Sequence, residues 1–441
     1  MPLFQHAQVS TDPQTLLKRR VPLFAVERGR KPMEDQHAPK RSWRTMYQAV
    51  PSRVKGLIYL SSFNGVGYGY LMILITAYLA LPEIGLKKDV GLILGLNGIT
   101  TVATAVPIGL LADRKGRKWI IIFGLALVPP ALIVYAFTTD LLYLLIASIV
   151  AGFAEGAFSA AWNALIADQT DLSNRNAAFS LSFIVGTASF ASGMALPFAF
   201  PTIEEWLGVS SQEIHTKVML ILGLLAFVSP VLLWLLLKDY KEDMHPPEKL
   251  SLKGKSTGIL LKFSGINSLI GLGAGFIIPL IPTWLLLRFG IEDSVSGPLL
   301  AASSVLMGLA AIVSSGLAHR YGMIRAIVLV QGLSTVFMFS LAFIPNAALA
   351  AGFYLIRAAL MNMGVPLLDS FLMGIITKEE RGLASAINAI FWRLPNSAST
   401  IVGGILLSSG NFEAPFLLAT GFYVISIILF YRTFKNVKPA A

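Results

Sequence analysis

Twelve long apolar stretches are the feature that most restricts how this chain can fold. A helix needs about 20 apolar residues to cross the hydrocarbon core of a membrane. Stretches of this length, numbered spans 1 to 12, lie near residues 56–81, 90–112, 119–138, 141–167, 177–200, 217–237, 258–288, 296–318, 323–344, 347–376, 382–408 and 414–432. Charged residues make up only 13% of the chain, against about 25% in a soluble protein. The sequence therefore predicts an all-α polytopic membrane protein with twelve transmembrane helices.

One long polar segment divides the spans six plus six. It covers residues 238–256 and begins Lys-Asp-Tyr-Lys-Glu-Asp. An even number of spans places both termini on the same side of the membrane. We therefore predict a basic N-terminal tail at 1–54, a six-helix bundle at 55–237, the linker at 238–256, a second bundle at 257–432 and a C-terminal tail at 433–441.

The distribution of basic residues predicts the orientation in the membrane. Although a net charge of +11 would suit nucleic-acid binding, nearly all Lys and Arg residues lie in the tails and in loops on one side. The Lys and Arg residues that lie away from that side are Lys87, Lys88, Lys217, Arg288, Arg357 and Arg393. Because basic loops face the cytoplasm, we expect a multi-pass protein of the cytoplasmic membrane with both termini and the linker in the cytoplasm. No nucleic-acid partner is expected, and the N-terminal tail either contacts anionic lipid headgroups or is disordered.

Several classes of protein are excluded by missing motifs. The chain has no cysteine, which removes disulfides and thiolate metal sites. The first 50 residues contain no apolar signal segment. A phosphate-binding Lys-Ser/Thr loop and a His-Glu-x-x-His motif are both absent. We expect no enzyme activity, no cofactor and no metal site.

The loop between spans 2 and 3 carries the most specific motif, with the sequence Gly109-Leu-Leu-Ala-Asp113-Arg114-Lys115-Gly116-Arg117-Lys118. Taken alone, it is compatible with a generic basic cytoplasmic loop. In order and position, however, it resembles the G-x-L-A-D-R-x-G-R-K loop motif of the major facilitator superfamily. The resemblance implies two pseudo-symmetric six-helix bundles and a secondary transporter that works by alternating access.

The two halves of the chain repeat at a constant offset of 206 residues. The offset aligns Gly65, Gly67 and Gly69 with Gly271, Gly273 and Gly275, and it aligns Ala112, Arg114 and Gly116 with Ala318, Arg320 and Gly322. Such a repeat predicts two similar bundles about an axis along the membrane normal, with a substrate near the midplane between them. The second copy of the loop motif is degenerate, since Asp113 corresponds to His319 and Gly109 to Ser315. Gate chemistry is therefore expected to rest on the first copy.

Four charged residues inside spans are the main candidates for substrate binding or coupling. Charges are costly in hydrocarbon, so they face a cavity or each other. Glu155 of span 4 maps by the repeat onto Met361, one helical turn from Arg357 of span 10, which predicts that Glu155 and Arg357 face one cavity from opposite halves. Asp369 of span 10 and Arg393 of span 11 are expected to pair within the second half. Each of the four is either part of a static ion pair or part of the transport site.

Two asparagines complete the candidate transport site. Asn163 maps onto Asp369, so both halves place a polar group at that depth, and Asn64 of span 1 is a lesser candidate for the cavity wall. The family resemblance also implies a gate formed by Gly109, Asp113, Arg114, Gly116, Arg117 and Lys118. In that gate, Asp113 pairs with Arg117 and faces the start of span 11 near Arg381 in the outward-open state.

The resulting functional prediction is a monomeric secondary active transporter that moves a small organic solute and is coupled to protons. Glu155 is the first candidate for the proton site and Asp369 the second, because rocking of the halves changes how near a cation lies to the acid. An anionic or amphiphilic substrate fits the two arginines, and membrane lipids are expected partners. Span 4 lacks the arginine, and span 5 the Gly-Pro pair, of the family's drug exporters. A passive uniporter and a non-transporting membrane receptor remain alternatives.

Overall fold

The computed structural model describes residues 47–171, 173–242, 256–377 and 380–437. Within these ranges every regular element is helical. Most of the predicted N-terminal tail, most of the linker and the last residues of the C-terminal tail lie outside the described residues.

All twelve predicted spans are helices. Their bounds are Ser52–Ala80, Val90–Lys115, Arg117–Phe137, Leu141–Asp168, Arg175–Leu207, Ser211–Leu236, Thr257–Phe289, Asp293–Tyr321, Met323–Leu341, Ala347–Ile375, Arg381–Ser408 and Ala414–Phe434. Among the described helices, eleven are long and apolar enough to cross a membrane. Span 11 falls short because polar residues such as Asn388, Arg393 and Asn396 lower its mean hydropathy.

Proline interrupts two of the spans near the same end of the bundle. Span 5 passes through a 3-10 turn at Leu196–Ala199, which contains Pro197, and then continues as Phe200–Leu207. Span 7 is broken at Ile278–Leu280 and resumes as Ile281–Phe289. Proline has no N–H to donate and its ring clashes with the preceding turn, which accounts for the breaks at Pro197 and Pro279.

Close helix packing follows the internal repeat. An added Cβ at Gly69 of span 1 would collide with the carbonyl of Phe190 in span 5. Likewise, a Cβ at Gly275 of span 7 would collide with the carbonyl of Asn396 in span 11. Gly69 and Gly275 are separated by the 206-residue offset of the repeat, and so are Phe190 and Asn396. Glycine lets the helix backbones touch at these positions, and the same contact is built once in each half.

The two halves contact each other at one end of the bundle and separate towards the other. We call the end with loop 109–118 and residues 238–242 the basic end, and the other end the far end. Near the far end, a Cβ on Gly91 of span 2 would lie 2.6 Å from the carbonyl of Thr400 in span 11. Near the basic end, a Cβ on Gly109 would meet only Ala160, which belongs to its own half. The space between the halves therefore opens towards the basic end.

Span 8 shows the same change along its length. At its far-end start, Gly297 packs against the carbonyl of Met194 in span 5. Further towards the basic end, a Cβ on Gly308 or Gly316 would meet nothing within 4 Å.

Candidate functional site

An ion pair at the middle of the membrane depth joins the two halves. Glu155 lies near the middle of Leu141–Asp168, and Arg393 lies near the middle of Arg381–Ser408. Arg393 Nη1 donates to Glu155 Oε1 at 3.0 Å. The side chains are 47% exposed for Arg393 and 34% for Glu155. The pair therefore belongs to both halves and is open to the space between them.

Small residues aim Glu155 into this space. Gly152, about one turn before the acid, and Gly156, the residue directly after it, approach the backbone of span 2 at Asn97 and Thr101. This contact places the hydroxyl of Thr101 at 3.5 Å from Glu155 Oε2. One turn earlier on span 4, the carbonyl of Ala151 accepts a hydrogen bond of 2.8 Å from Tyr68. The acid thus lies in a polar cleft lined by spans 1, 2 and 4.

The partners predicted for these charges were wrong. Arg357 does not face Glu155, because its side chain points into the second bundle, where it is 4% exposed. Its Nη2 donates to the hydroxyl of Tyr423 at 2.7 Å, and the guanidinium lies 5.7 Å from the centre of that ring. Arg393 in turn pairs with Glu155 rather than with Asp369. The repeat predicted the depth of each charge but could not predict how each helix is rotated.

The other polar candidates have different environments. Asp369 and Asn163 are both exposed at matching positions of spans 10 and 4, as the repeat predicts. Within the described ranges Asp369 has no ion-pair partner. Asn64 is buried, and its amide atoms have no hydrogen-bond partner among the described residues. It therefore does not line the open space, contrary to expectation.

The gate loop is held by charges of its own half. Arg117 Nη2 lies 3.0 Å from Asp113 Oδ1, which confirms the predicted pair, and Nη1 also binds Asp168 at the end of span 4. Gly116 supplies the turn between spans 2 and 3 with φ of +99°, a region that favours glycine. The approach of Asp113 to Arg381 stays a prediction for the other conformation, since the halves are apart at this end.

Residues outside the ten-residue motif complete the gate loop. Glu242 accepts the backbone N–H groups of Arg117, at 2.7 Å, and of Lys118. It thereby places a negative charge at the positive N-terminal end of span 3. The ammonium of Lys118 donates to the carbonyls of Leu237 and Lys238 at the end of span 6. Sequence reasoning missed Asp168 and Glu242, because both lie far from the loop along the chain.

The far end holds a second polar contact between the halves. His215 at the start of span 6 lies 2.7 Å from Asp293 at the start of span 8. The hydroxyl of Thr283 in span 7 donates to the carbonyl of Thr76 in span 1. The sequence drew no attention to His215 or Asp293, because polar residues are common at the ends of spans.

A comparison with protein families agrees with this arrangement. The sequence model of the Major Facilitator Superfamily matches residues 56–265 and again residues 263–441. The two matches fall on the two halves, which the constant offset of the repeat also separates.

Individual relatives are more distant. The chain is 31% identical over 163 residues to an uncharacterised transporter of Buchnera aphidicola, a match covering 36% of this chain and 40% of that protein. It is 24% identical over 372 residues to Multidrug resistance protein 1 of Bacillus subtilis, covering 77% and 86%. Among solved structures, a bacterial homologue of the human lysosomal transporter Spinster, in an inward-facing and unoccupied conformation, superposes with a TM-score of 0.68. That match covers 89% of this chain and 98% of the other at 15% identity.

Proposed function

This chain belongs to the major facilitator superfamily and is a multi-pass membrane transporter, and from that premise we propose that it is a proton-coupled secondary carrier of a small organic anion. It works by alternating access, with the basic end facing the cytoplasm. Labelling of a single cysteine at Lys241 from the cytoplasmic side tests this orientation, and labelling from outside only would overturn it.

The ion pair between Glu155 and Arg393 carries the proposal. The two charges come from different halves, so any rocking of the halves changes their separation. An acid beside a cation holds its negative charge, whereas an acid left alone in a partly dehydrated space takes up a proton more readily. The pair is therefore a site whose proton occupancy depends on the conformation, which is what coupling requires.

Arg393 supplies the recognition of the substrate. A guanidinium binds carboxylate or phosphate groups through paired N–H donors, and 47% of this side chain is exposed. An anion that binds Arg393 displaces Glu155, and the freed Glu155 then takes a proton. Substrate and proton therefore favour each other's binding, as a coupling free energy requires. The expected mode is symport of proton and anion, and Arg393 takes the role that sequence reasoning gave to Arg357.

Two steps test the proposal with purified protein. A thermal-shift screen against metabolite, drug and lipid panels identifies a stabilising compound. Uptake of that compound into proteoliposomes is then measured with and without an imposed pH gradient. We expect E155Q to exchange the compound across the membrane but to lose the acceleration by the gradient, because glutamine cannot take up the proton.

D369N is the matched control for this experiment. It removes the same charge from an exposed acid of span 10 that has no ion-pair partner in the described part of the chain. It should keep the response to the pH gradient. An unchanged pH response in E155Q would exclude Glu155 as the proton site and move the search to Asp369, while a wild-type protein without any pH response would be a passive uniporter.

A further inference from the structure

His215 and Asp293 form a buried contact that joins the halves at the far end. The side chain of His215 is 2% exposed. Nε2 lies 2.7 Å from Asp293 Oδ2, and Nδ1 lies 2.7 Å from the carbonyl oxygen of Ser211 on its own helix. The contact is separate from the Glu155–Arg393 pair, which lies at the middle of the membrane depth.

The geometry requires two protons on this pair of side chains. Nδ1 carries one, and either Nε2 or the carboxyl group of Asp293 carries the other. A carbonyl oxygen can only accept, so the Ser211 contact needs an N–H at Nδ1. A neutral imidazole with that proton leaves a lone pair on Nε2, which would face a carboxylate that also only accepts. The contact between Nε2 and Asp293 therefore contains a second proton, either on Nε2 as imidazolium or on Asp293 as carboxylic acid. In both forms the closed contact holds one proton more than neutral histidine and free carboxylate.

Three aromatic rings surround the imidazole. The ring of Tyr78 stacks on the imidazole with centres 3.9 Å apart and planes 13° apart, and an aromatic face attracts a cation. Phe200 meets the imidazole edge-on at 4.9 Å, and Tyr70 lies at 6.3 Å.

Titratable groups of neighbouring elements also lie near the pair. Asp293 lies within electrostatic reach of Tyr70 and Tyr78, and Glu83 within reach of Tyr78. On the helix of His215 itself, Glu213 and Lys217 form their own exposed ion pair.

We propose that His215 and Asp293 are a proton-binding latch that holds the far end of the transporter shut. Opening this end moves Asp293 of the second half away from His215 of the first half. Water then reaches both groups, and the extra proton is released. The closed form is therefore favoured at low pH and loses stability as the pH on this side rises. The latch requires that the halves move apart, but it does not require coupling at Glu155.

The release of one proton sets the size of the effect. If opening releases one proton, the ratio of open to closed forms rises about tenfold for each pH unit. A contact that held no extra proton would show no such dependence on pH.

The chain offers a direct measurement because it has no native cysteine. Spin labels on K88C and S409C report the distance between the far-end tips of spans 2 and 11, which belong to different halves. Distances are measured on the full chain in lipid nanodiscs from pH 5.5 to 8.5. We expect the long-distance population to rise with pH in the wild-type background and to be independent of pH in H215Q and in D293N.

T283V is the matched control. It removes a second hydrogen bond between the halves at the far end, from Thr283 to the carbonyl of Thr76, which involves no titrating side chain. The open population should rise at every pH while the slope stays that of the wild type. A wild-type background without a slope, or H215Q and D293N with the full slope, would overturn the latch. E155Q should keep the slope, so failure of the latch and failure of the proposed coupling are told apart.

Discussion

The two halves of this transporter are alike in their packing and unlike in their charges. Gly69 against Phe190 and Gly275 against Asn396 are the same contact, repeated once in each half. By contrast, the position in the second half that matches Glu155 is occupied by a methionine, Met361. The difference shows that the fold depends on apolar and glycine contacts that both halves keep, while the charged groups are placed once and mark the functional surfaces.

The two loops at the basic end show this division most clearly. Both turn at a glycine with positive φ, +99° at Gly116 and +79° at Gly322. In loop 109–118, Asp113 and Asp168 form ion pairs with Arg117, and Glu242 accepts hydrogen bonds from the backbone at the start of span 3. In the described part of loop 315–324, the charged contact is Arg320 over the ring of its neighbour Tyr321. Among the described residues, loop 109–118 is tied to other spans by charge and loop 315–324 is not.

The largest effect is expected when the acid is moved to the other half. In the double variant E155Q/M361E, the acid and Arg393 both belong to the second half, so the distance between them no longer changes when the halves move. We expect pH-driven uptake in proteoliposomes to fall about 10- to 100-fold, corresponding to an ion pair worth about 1–3 kcal/mol, between exposed and buried pairs. M361E alone is the control, and wild-type uptake by the double variant would show that the halves are interchangeable.

The next effect compares the two loop glycines. Alanine at either position adopts a backbone conformation that essentially only glycine tolerates, at a cost of about 1–3 kcal/mol. In G116A the new methyl group also collides with the carboxylate of Glu242, whereas in G322A it meets nothing within 4 Å. Thermal unfolding in detergent should therefore show a larger loss for G116A. Equal losses would mean that Glu242 moves aside without cost.

The smallest effect concerns Glu242 itself. E242Q removes the negative charge from the N-terminal end of span 3, which should cost about 1 kcal/mol and lower the melting temperature. D239N neutralises a nearby exposed acid of the same segment and should leave the melting temperature unchanged. An E242Q protein as stable as D239N would indicate that the loop is held by Arg117 and Lys118 alone.

Much of the fold follows from the sequence because lipid imposes a simple rule. A membrane span must be long, apolar and helical, so the twelve spans and the six-plus-six division could be predicted. The pair of Asp113 and Arg117 could also be predicted, because the resemblance of the loop to the major facilitator motif implies it. Contacts between distant parts of the chain, such as those of Glu242 and Asp168 with the loop, left no local pattern.

The sequence by itself determined the number of spans, the repeat and the depth at which each charge lies, because these depend on distance along a helix axis. Only the tertiary structure decided which charges meet. Each residue turns a helix by about 100°, so a small rotation sends Arg357 into its own bundle towards Tyr423 and leaves Arg393 to face Glu155. The same holds for His215 and Asp293, which are 78 residues apart and meet because the halves close at the far end.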